Sequence, residues 1–160
     1  AIVRELPPFV TPVGVFVDET VERINALADL VGLGAVQLHG DEAPEMVERL
    51  ARPVVKAIGR IDEGVAARWP DRVTMLVDAD DRVNYGGTGA RADWTGAARL
   101  AAARRTILAG GVNPENVAEA VATVRPFGID VSSGVEDAPG IKNPERIRAL
   151  FEALRGIPRS

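Results

Sequence analysis

Strand-like and helix-like segments alternate six times along this chain, and this alternation limits its fold more than any other feature. Each predicted strand is a short, mainly apolar run, which is typical of a strand buried on both faces. The runs cover residues 13–17, 35–39, 54–58, 73–77, 106–109 and 129–131. Apolar residues at helical spacing follow each run. Alternating strands and helices of this kind predict an α/β fold with a parallel sheet.

The spacing of the strands favours a (β/α) barrel over an open sheet. Successive strands begin roughly 20 residues apart, except where a long polar loop precedes Thr106. Polar residues follow the strands at their carboxyl ends, as in barrel enzymes, and no GxGxxG sequence follows the first strand. A closed barrel of this type needs eight units, whereas this sequence supplies six. We therefore predict that residues 1–160 form a single, incomplete TIM (β/α)8-type barrel domain.

Capping residues predict where several helices begin. Asp18 and Asp41 precede the first two predicted helices, and Asp93 precedes a helix over residues 94–103. The Asn-Pro-Glu sequences at 113–115 and 143–145 begin the last two helices. Residues 1–6 are interpreted as the last turns of a helix that two prolines stop, so a preceding segment is expected.

Composition excludes several classes of function. A hydrophobic content of 46% with 26% charged residues predicts a packed core rather than disorder. A net charge of −4 without a basic run argues against nucleic-acid binding, and zero cysteines exclude disulfides and thiolate sites. The single histidine, His39, argues against a His-rich metal centre. With no apolar run of ~18 residues and no signal peptide, a cytoplasmic protein without membrane contact is expected.

Two strand ends without bulky side chains predict a phosphate site. The strand near residue 129 leads into Ser132, Ser133 and Gly134, and the strand before it ends in Gly110 and Gly111. Small residues expose backbone N–H groups, which bind oxyanions. Ordinary glycine-rich turns would explain either loop alone. The pair favours a phosphate cradle, because barrels often bind phosphate in the loops after strands seven and eight.

The remaining polar residues at strand ends predict acid–base chemistry. Asp78 directly follows an apolar strand, and a carboxyl group at the boundary of core and solvent can carry a proton at neutral pH. A simple turn aspartate is the alternative. Asp130, Gln37 and His39 are further candidates, with a structural role as the alternative for the histidine. Lys56 either lines the mouth of the barrel or extends outward from it.

The glycines of the long polar loop, Gly86, Gly87 and Gly89, predict a mobile lid, with a plain flexible loop as the alternative. The residues alone therefore indicate an isomerase, lyase or aldolase-like barrel that acts on a small phosphorylated metabolite.

Several blocks of sequence resemble those of the phosphoribosylanthranilate isomerase family of tryptophan biosynthesis. The Gly-Gly-Thr-Gly sequence at 86–89, followed by Asp-Trp, and the Asp-Val-Ser-Ser-Gly-Val-Glu sequence at 130–136 are the most specific. The other blocks cover residues 13–17, 36–40, 76–78, 108–111, 113–117, 139–140 and 142. The resemblance spans essentially the whole chain in order.

The resemblance implies an Amadori rearrangement of N-(5′-phosphoribosyl)anthranilate without cofactor or metal. In this chain it makes Asp78 the general acid and assigns the phosphate to backbone N–H groups of Gly110, Gly111, Ser133 and Gly134. Asp130 would face the sugar or the anthranilate amine, and Gln37 and His39 would line the anthranilate side.

The chain departs from the family at its amino-terminal end. The family's general base is a cysteine on the first strand, and an arginine after the second strand binds the anthranilate carboxylate. This sequence contains no cysteine and is expected to supply only the third to eighth units, so little or no activity is expected from it alone.

Other functions remain open at this point. A non-catalytic, phosphate-binding partial barrel would associate with itself or with a partner segment at its open edges. A sugar-phosphate epimerase would need more metal-binding histidines than His39. Indole-glycerol-phosphate synthase would need several catalytic lysines, and only Lys56 and Lys142 are present.

Overall fold

The computed structural model describes residues 2–59, 61, 63–78 and 93–157. Its main sheet has six strands in the order in which they occur along the chain, and each neighbouring pair is parallel. The strands are β1 (Val13–Phe16), β2 (Ala35–Leu38), β3 (Val54–Ile58), β4 (Thr74–Val77), β5 (Thr106–Leu108) and β6 (Gly128–Ile129). The six predicted strands and their parallel arrangement are confirmed.

Helices connect the strands. They are α1 (Val21–Val31), α2 (Glu63–Ala67), α3 (Trp94–Ala103), α4 (Val117–Val124) and α5 (Pro144–Arg155), with 3-10 turns at Ile2–Glu5, Pro44–Arg49 and Ser133–Val135. The first and second of these turns stand where the sequence predicted α-helix. A short antiparallel pair, β7 (Glu136–Ala138) and β8 (Ile141–Lys142), follows β6 and does not appear among the predicted elements. None of the helices in the described ranges has the length and hydropathy needed to cross a bilayer.

Two predicted helix caps are wrong, and both errors have the same cause. Thr20, not Asp18, caps α1 by accepting from the N–H of Arg23. The Asp18 carboxylate instead accepts from the N–H of Asp41, 2.7 Å away, so each aspartate joins two loops and neither caps a helix. A short polar side chain near a helix start can serve either purpose, and only the tertiary fold decides.

The later caps agree better with the sequence. Asp93 accepts from the N–H of Gly96, and Asn143 accepts from two N–H groups at the start of α5. Asn113 accepts from the N–H groups of Glu115 and Asn116, but α4 begins only after that turn.

The two faces of the sheet have different surroundings. One face packs against the helices and forms the main core, in which strand residues such as Leu38, Met75 and Leu108 meet helix residues such as Ile24 and Val117. The other face carries a smaller cluster made of residues from β3, β4 and β5 together with Ala109, which directly follows β5. This division is typical of a barrel, in which helices surround the outside of the sheet.

The outer edge of β1 is exposed. β1 pairs with β2 on one side, and among the described residues no other strand pairs with β1. Val13, Val15 and Val17 are 44%, 59% and 41% exposed, which is high for apolar residues that alternate along one strand face. This edge therefore offers both unpaired backbone groups and apolar side chains to another segment.

The Arg104 side chain connects the end of α3 with the segment between α2 and β4. Directly after α3, its guanidinium donates to the backbone oxygens of Ala66 and Trp69 near the end of α2. It also donates to those of Pro70 and Val73 at 2.8 and 3.0 Å, just before β4. One side chain thus satisfies four carbonyl groups between the last turn of α2 and the start of β4.

We predict that Arg104→Met lowers the free energy of unfolding by about 2–3 kcal/mol, because it leaves several partly buried carbonyls without a donor. Urea unfolding followed by circular dichroism measures the change. Arg148→Met, on the exposed side of α5, is the matched control and should change stability by less than about 0.5 kcal/mol. Equal effects of the two substitutions would contradict this role for Arg104.

Candidate functional site

Three polar side chains converge at the carboxyl ends of β2 and β4. Alternate residues of a strand face the same side, so Gln37 and His39 lie on the face opposite to the helix-packed Val36 and Leu38. The His39 Nε2 atom lies 3.7 Å from Oδ2 of Asp78, and the Gln37 Nε2 atom lies 3.0 Å from Nδ1 of His39. The structure thus brings together three residues that the sequence predicted separately.

The amide of Gln37 selects one tautomer of His39. An amide nitrogen only donates hydrogen bonds, so Nδ1 of the imidazole accepts in this arrangement. The neutral ring then carries its proton on Nε2, which faces Asp78. The side chains of His39 and Asp78 are only 16% and 12% exposed, so solvent screens their interaction weakly.

Asp130, which follows β6, adds a second carboxylate to this site. Desolvation by the surrounding atoms is the main reason that its pKa is raised, and the negative charge of Asp78 raises it further. His39 and Lys142 act in the opposite direction without cancelling the increase. Asp130 is therefore close enough to Asp78 for the charge of Asp78 to affect the ionisation of Asp130.

The two glycine-containing loops touch each other. A Cβ atom added to Gly134 would overlap the backbone oxygen of Val112, so the loop after β6 fits against the loop after β5 only with glycine there. Gly110 and Gly111 both have positive φ, 72° and 69°, which favours glycine. Close approach and backbone conformation thus both account for the lack of side chains.

The carbonyls of these loops are held by side chains, whereas key N–H groups are not. Asn116 donates to the oxygen of Gly111 at 2.8 Å, and Arg146 donates to the oxygen of Gly134 from two nitrogens at 3.1 and 3.0 Å. In the part of the chain that the structure describes, the N–H groups of Gly110, Gly111, Ser133 and Gly134 donate to no protein acceptor.

The sequence pattern of the family described as N-(5'phosphoribosyl)anthranilate (PRA) isomerase matches residues 2–153. The chain belongs to this family. The isomerase of Citrifermentans bemidjiense is 46% identical over 158 residues, which cover 98% of this chain and 77% of the relative. That of Geobacter sp. strain M21 is 48% identical, with coverages of 98% and 78%.

Solved structures of the isomerase family have the same fold. The Thermotoga maritima enzyme superposes with a TM-score of 0.84 at 39% identity, over 98% of this chain and 78% of that one. The Thermus thermophilus enzyme superposes with a TM-score of 0.85 at 38% identity, over 97% and 77%. The predicted TIM-barrel-type fold is confirmed, while the assignment of the six units as third to eighth stays a prediction.

Several residues that shape this site carry little or no signal in the sequence. Lys142 donates to the backbone oxygen and the hydroxyl of Ser132, at 3.0 and 3.3 Å, and to Glu136 at 2.6 Å. Its hydrogen bond is the main reason that the pKa of Glu136 is lowered. In the sequence, Lys142 stands out only as part of a matching block and as one of two lysines. Arg146 had no sequence signal, because the oxygen that it binds belongs to a loop twelve residues away.

Lys56 agrees only in part with the alternatives derived from the sequence. Its side chain extends to the outer, helix-packed side of β3, as the second alternative expected, but it does not reach solvent there. It lies buried and pairs with Glu42. Glycines 86, 87 and 89 of the predicted lid lie outside the described residues. Within the described ranges, no group of three or more histidine, aspartate or glutamate side chains is placed to hold a metal.

We predict that Gly134→Ala destabilises the fold by about 3 kcal/mol, because its Cβ meets a backbone oxygen that cannot turn aside. Thermal unfolding measures the loss. Gly156→Ala, at a position with open space around a Cβ and ordinary φ, is the control and should be near neutral. A Gly134→Ala protein as stable as the control would mean that the two loops separate easily.

Asp130→Asn should stabilise the protein at neutral pH but not at acidic pH. The folded-state pKa of Asp130 lies above its unfolded value, so its favourable contribution is complete below the ordinary aspartate pKa of 3.8 and is lost as pH rises through the folded value. At neutral pH the ionised carboxylate therefore opposes folding, and the amide removes that cost.

Melting temperatures of Asp130→Asn and of the unaltered chain, compared at pH near 3 and near 7, test this sign. Asp71→Asn, in an exposed turn, controls for the loss of one negative charge. A stabilisation by Asp130→Asn that is larger at acidic than at neutral pH would contradict the prediction.

Proposed function

We propose that this chain carries out the Amadori rearrangement of its family, converting N-(5′-phosphoribosyl)anthranilate into the 1-deoxyribulose 5-phosphate product, when a further segment completes its barrel. The observation that carries the proposal is the position of the sheltered Asp78 carboxyl. It faces His39 at the same end of the sheet as two glycine loops with unused N–H groups.

A related complex supports the choice of substrate. A phosphoribosylanthranilate isomerase structure contains the reduced product analogue 1-(o-carboxyphenylamino)-1-deoxyribulose 5-phosphate. It is 39% identical to this chain, superposes with a TM-score of 0.80, and covers 98% of this chain and 77% of its own. The analogue combines a phosphate, a sugar chain and an aromatic carboxylate, and so needs one anion site at each end.

In the proposed binding mode, the N–H groups of Gly110, Gly111, Ser133 and Gly134 hold the 5′-phosphate. Backbone donors bind a phosphate well because its three outer oxygens accept several hydrogen bonds at once. The hydroxyls of Ser132 and Ser133 lie in the same loop. Lys142, which contacts Ser132, adds a positive charge on that side.

Asp78 serves as the general acid in this proposal. It protonates the furanose ring oxygen, and the ring C–O bond breaks as the anthranilate nitrogen supplies electrons to form a Schiff base. Removal of the proton from C2 then gives an enolamine, which tautomerises to the ketone. Gln37 and His39 line the anthranilate side, and Asp130 faces the sugar or the anthranilate amine.

The chain itself lacks the cysteine that acts as general base in the family, so the base must come from another segment. The exposed β1 edge, with Val13, Val15 and Val17, is suited to receive a strand that would bring it. Each general acid or base step contributes about 10²–10⁴-fold, so the 160 residues alone should turn over slowly or not at all.

Complementation tests this function. The 160-residue chain is mixed with a segment that carries the first two βα units of the Citrifermentans bemidjiense relative, and turnover of N-(5′-phosphoribosyl)anthranilate is followed by its fluorescence. We expect activity from the mixture and little from either part. Light scattering shows whether the two parts associate. A complex that binds a phosphate ester but never turns over would favour the non-catalytic alternative.

The role of Asp78 is tested in the same complex. Asp78→Asn keeps the shape of the side chain but removes the acid, so kcat should fall by about 10²–10⁴-fold. Asp71→Asn is the matched control and should leave turnover unchanged. An active complex whose rate is insensitive to Asp78→Asn would show that another group protonates the ring oxygen.

A further inference from the structure

A buried ion pair lies next to the proposed acid site but on the other face of the sheet. Lys56 and Glu42 join through Nζ and Oε2 at 2.7 Å, and their side chains are 6% and 1% exposed. The ammonium group also lies 5.5 Å from the centre of the Trp69 ring. Neither side chain lies on the face that carries Asp78, so neither is placed to contact the substrate there.

The pair binds both backbone polar groups of one residue, Gly40, and so holds the two peptide units on either side of it. Glu42 accepts from the N–H of Gly40 with both oxygens, at 2.9 and 3.0 Å, while Lys56 donates to the carbonyl of Gly40. Glu42 also accepts from the N–H of Asp18 at 3.2 Å. Gly40 has no room for a side chain, because a Cβ would overlap the Asp18 carboxylate. The pair thus holds the loops after β1 and β2 against each other.

Stability alone does not account for the Lys56–Glu42 ion pair. Burial of Glu42 tends to raise its pKa, but the hydrogen bond and charge of Lys56, together with backbone donors, lower it overall, so the carboxylate remains ionised. Removing two charges from water costs nearly as much as their attraction returns, and apolar residues of similar volume often give equal stability. What the pair provides is a defined geometry for the backbone that it holds.

We propose that Lys56 and Glu42 are positioning residues that hold the loop after β2 so that the imidazole of His39 keeps its Nε2–H directed at Asp78. Glu42 accepts from the N–H of the peptide unit that joins His39 to Gly40, so a shift of this unit turns the ring. The role of Asp78 as general acid rests on the proposed function, whereas the effect of the ion pair on the orientation of the His39 ring does not. A displacement of about 1 Å near a reacting group can cost roughly 100-fold in rate.

The single histidine makes a direct test feasible, because one pair of imidazole nitrogen resonances reports this site. Nitrogen-15 spectra of the 160-residue protein, recorded where the ring is neutral, should show one dominant tautomer with the proton on Nε2. In the double variant Lys56→Met/Glu42→Met we expect the two nitrogen resonances to move toward each other as the second tautomer becomes populated. Glu42→Gln keeps an acceptor oxygen and should give a smaller shift in the same direction.

The matched control is Arg72→Met/Glu48→Met, which removes an exposed ion pair. It should leave both imidazole resonances unchanged. Unchanged resonances in a folded Lys56→Met/Glu42→Met protein would overturn the proposal. If that variant does not fold, the Glu42→Gln spectrum decides by the same criterion.

Kinetics of the complemented enzyme separate this proposal from the proposed function. Disturbing the pair should lower kcat by up to about 100-fold with little change in KM, because the two glycine loops are untouched. A rise in KM as large as the fall in kcat would point to general disorder of the site and would contradict a positioning role. A complex without any turnover would reject the proposed function, while the tautomer measurement would still test the pair.

Discussion

Parallel pairing of six strands in sequence order is the constraint on which the rest of the structure depends. Because every strand runs in the same direction, all six carboxyl ends meet at one edge of the sheet. Because side chains alternate, each strand sends one set into the helix-covered core and the other to the opposite face. Leu38 and its neighbour His39 illustrate the result: one is fully buried among apolar residues, and the other faces a carboxylate.

The sheet brings the loops at its carboxyl ends close together, and polar side chains then fix the backbone positions of these loops. Arg146 and Asn116 hold carbonyl oxygens of the two glycine loops, and Glu42 with Lys56 holds the loop after β2. In each case the bound group is a backbone atom, and the side chain comes from the helix-packed side or from a helix terminus. The backbone at the carboxyl ends of the strands is therefore held by residues that lie behind the candidate site.

Local patterns in the sequence were sufficient for the strands, most helices and the residues at the carboxyl ends, because these depend on hydrophobic periodicity and on direct chain order. They failed where one polar side chain had two available partners. Asp18 was expected to cap α1 but binds Asp41, and Lys56 was expected at the mouth or in solvent but meets Glu42. Such pairings link residues 14 or 23 positions apart, and no local signal encodes them. The β7–β8 pair is too short to show a clear alternation.

The exposed β1 edge has a thermodynamic consequence. A segment that adds to this edge binds the folded sheet and not the unfolded chain, so its binding energy becomes part of the folding energy. The free energy of unfolding then rises by RT ln(1 + [L]/Kd), so the midpoint of thermal unfolding depends on the concentration of that segment. For this chain, any assembly beside the exposed Val13, Val15 and Val17 would therefore be coupled to folding stability.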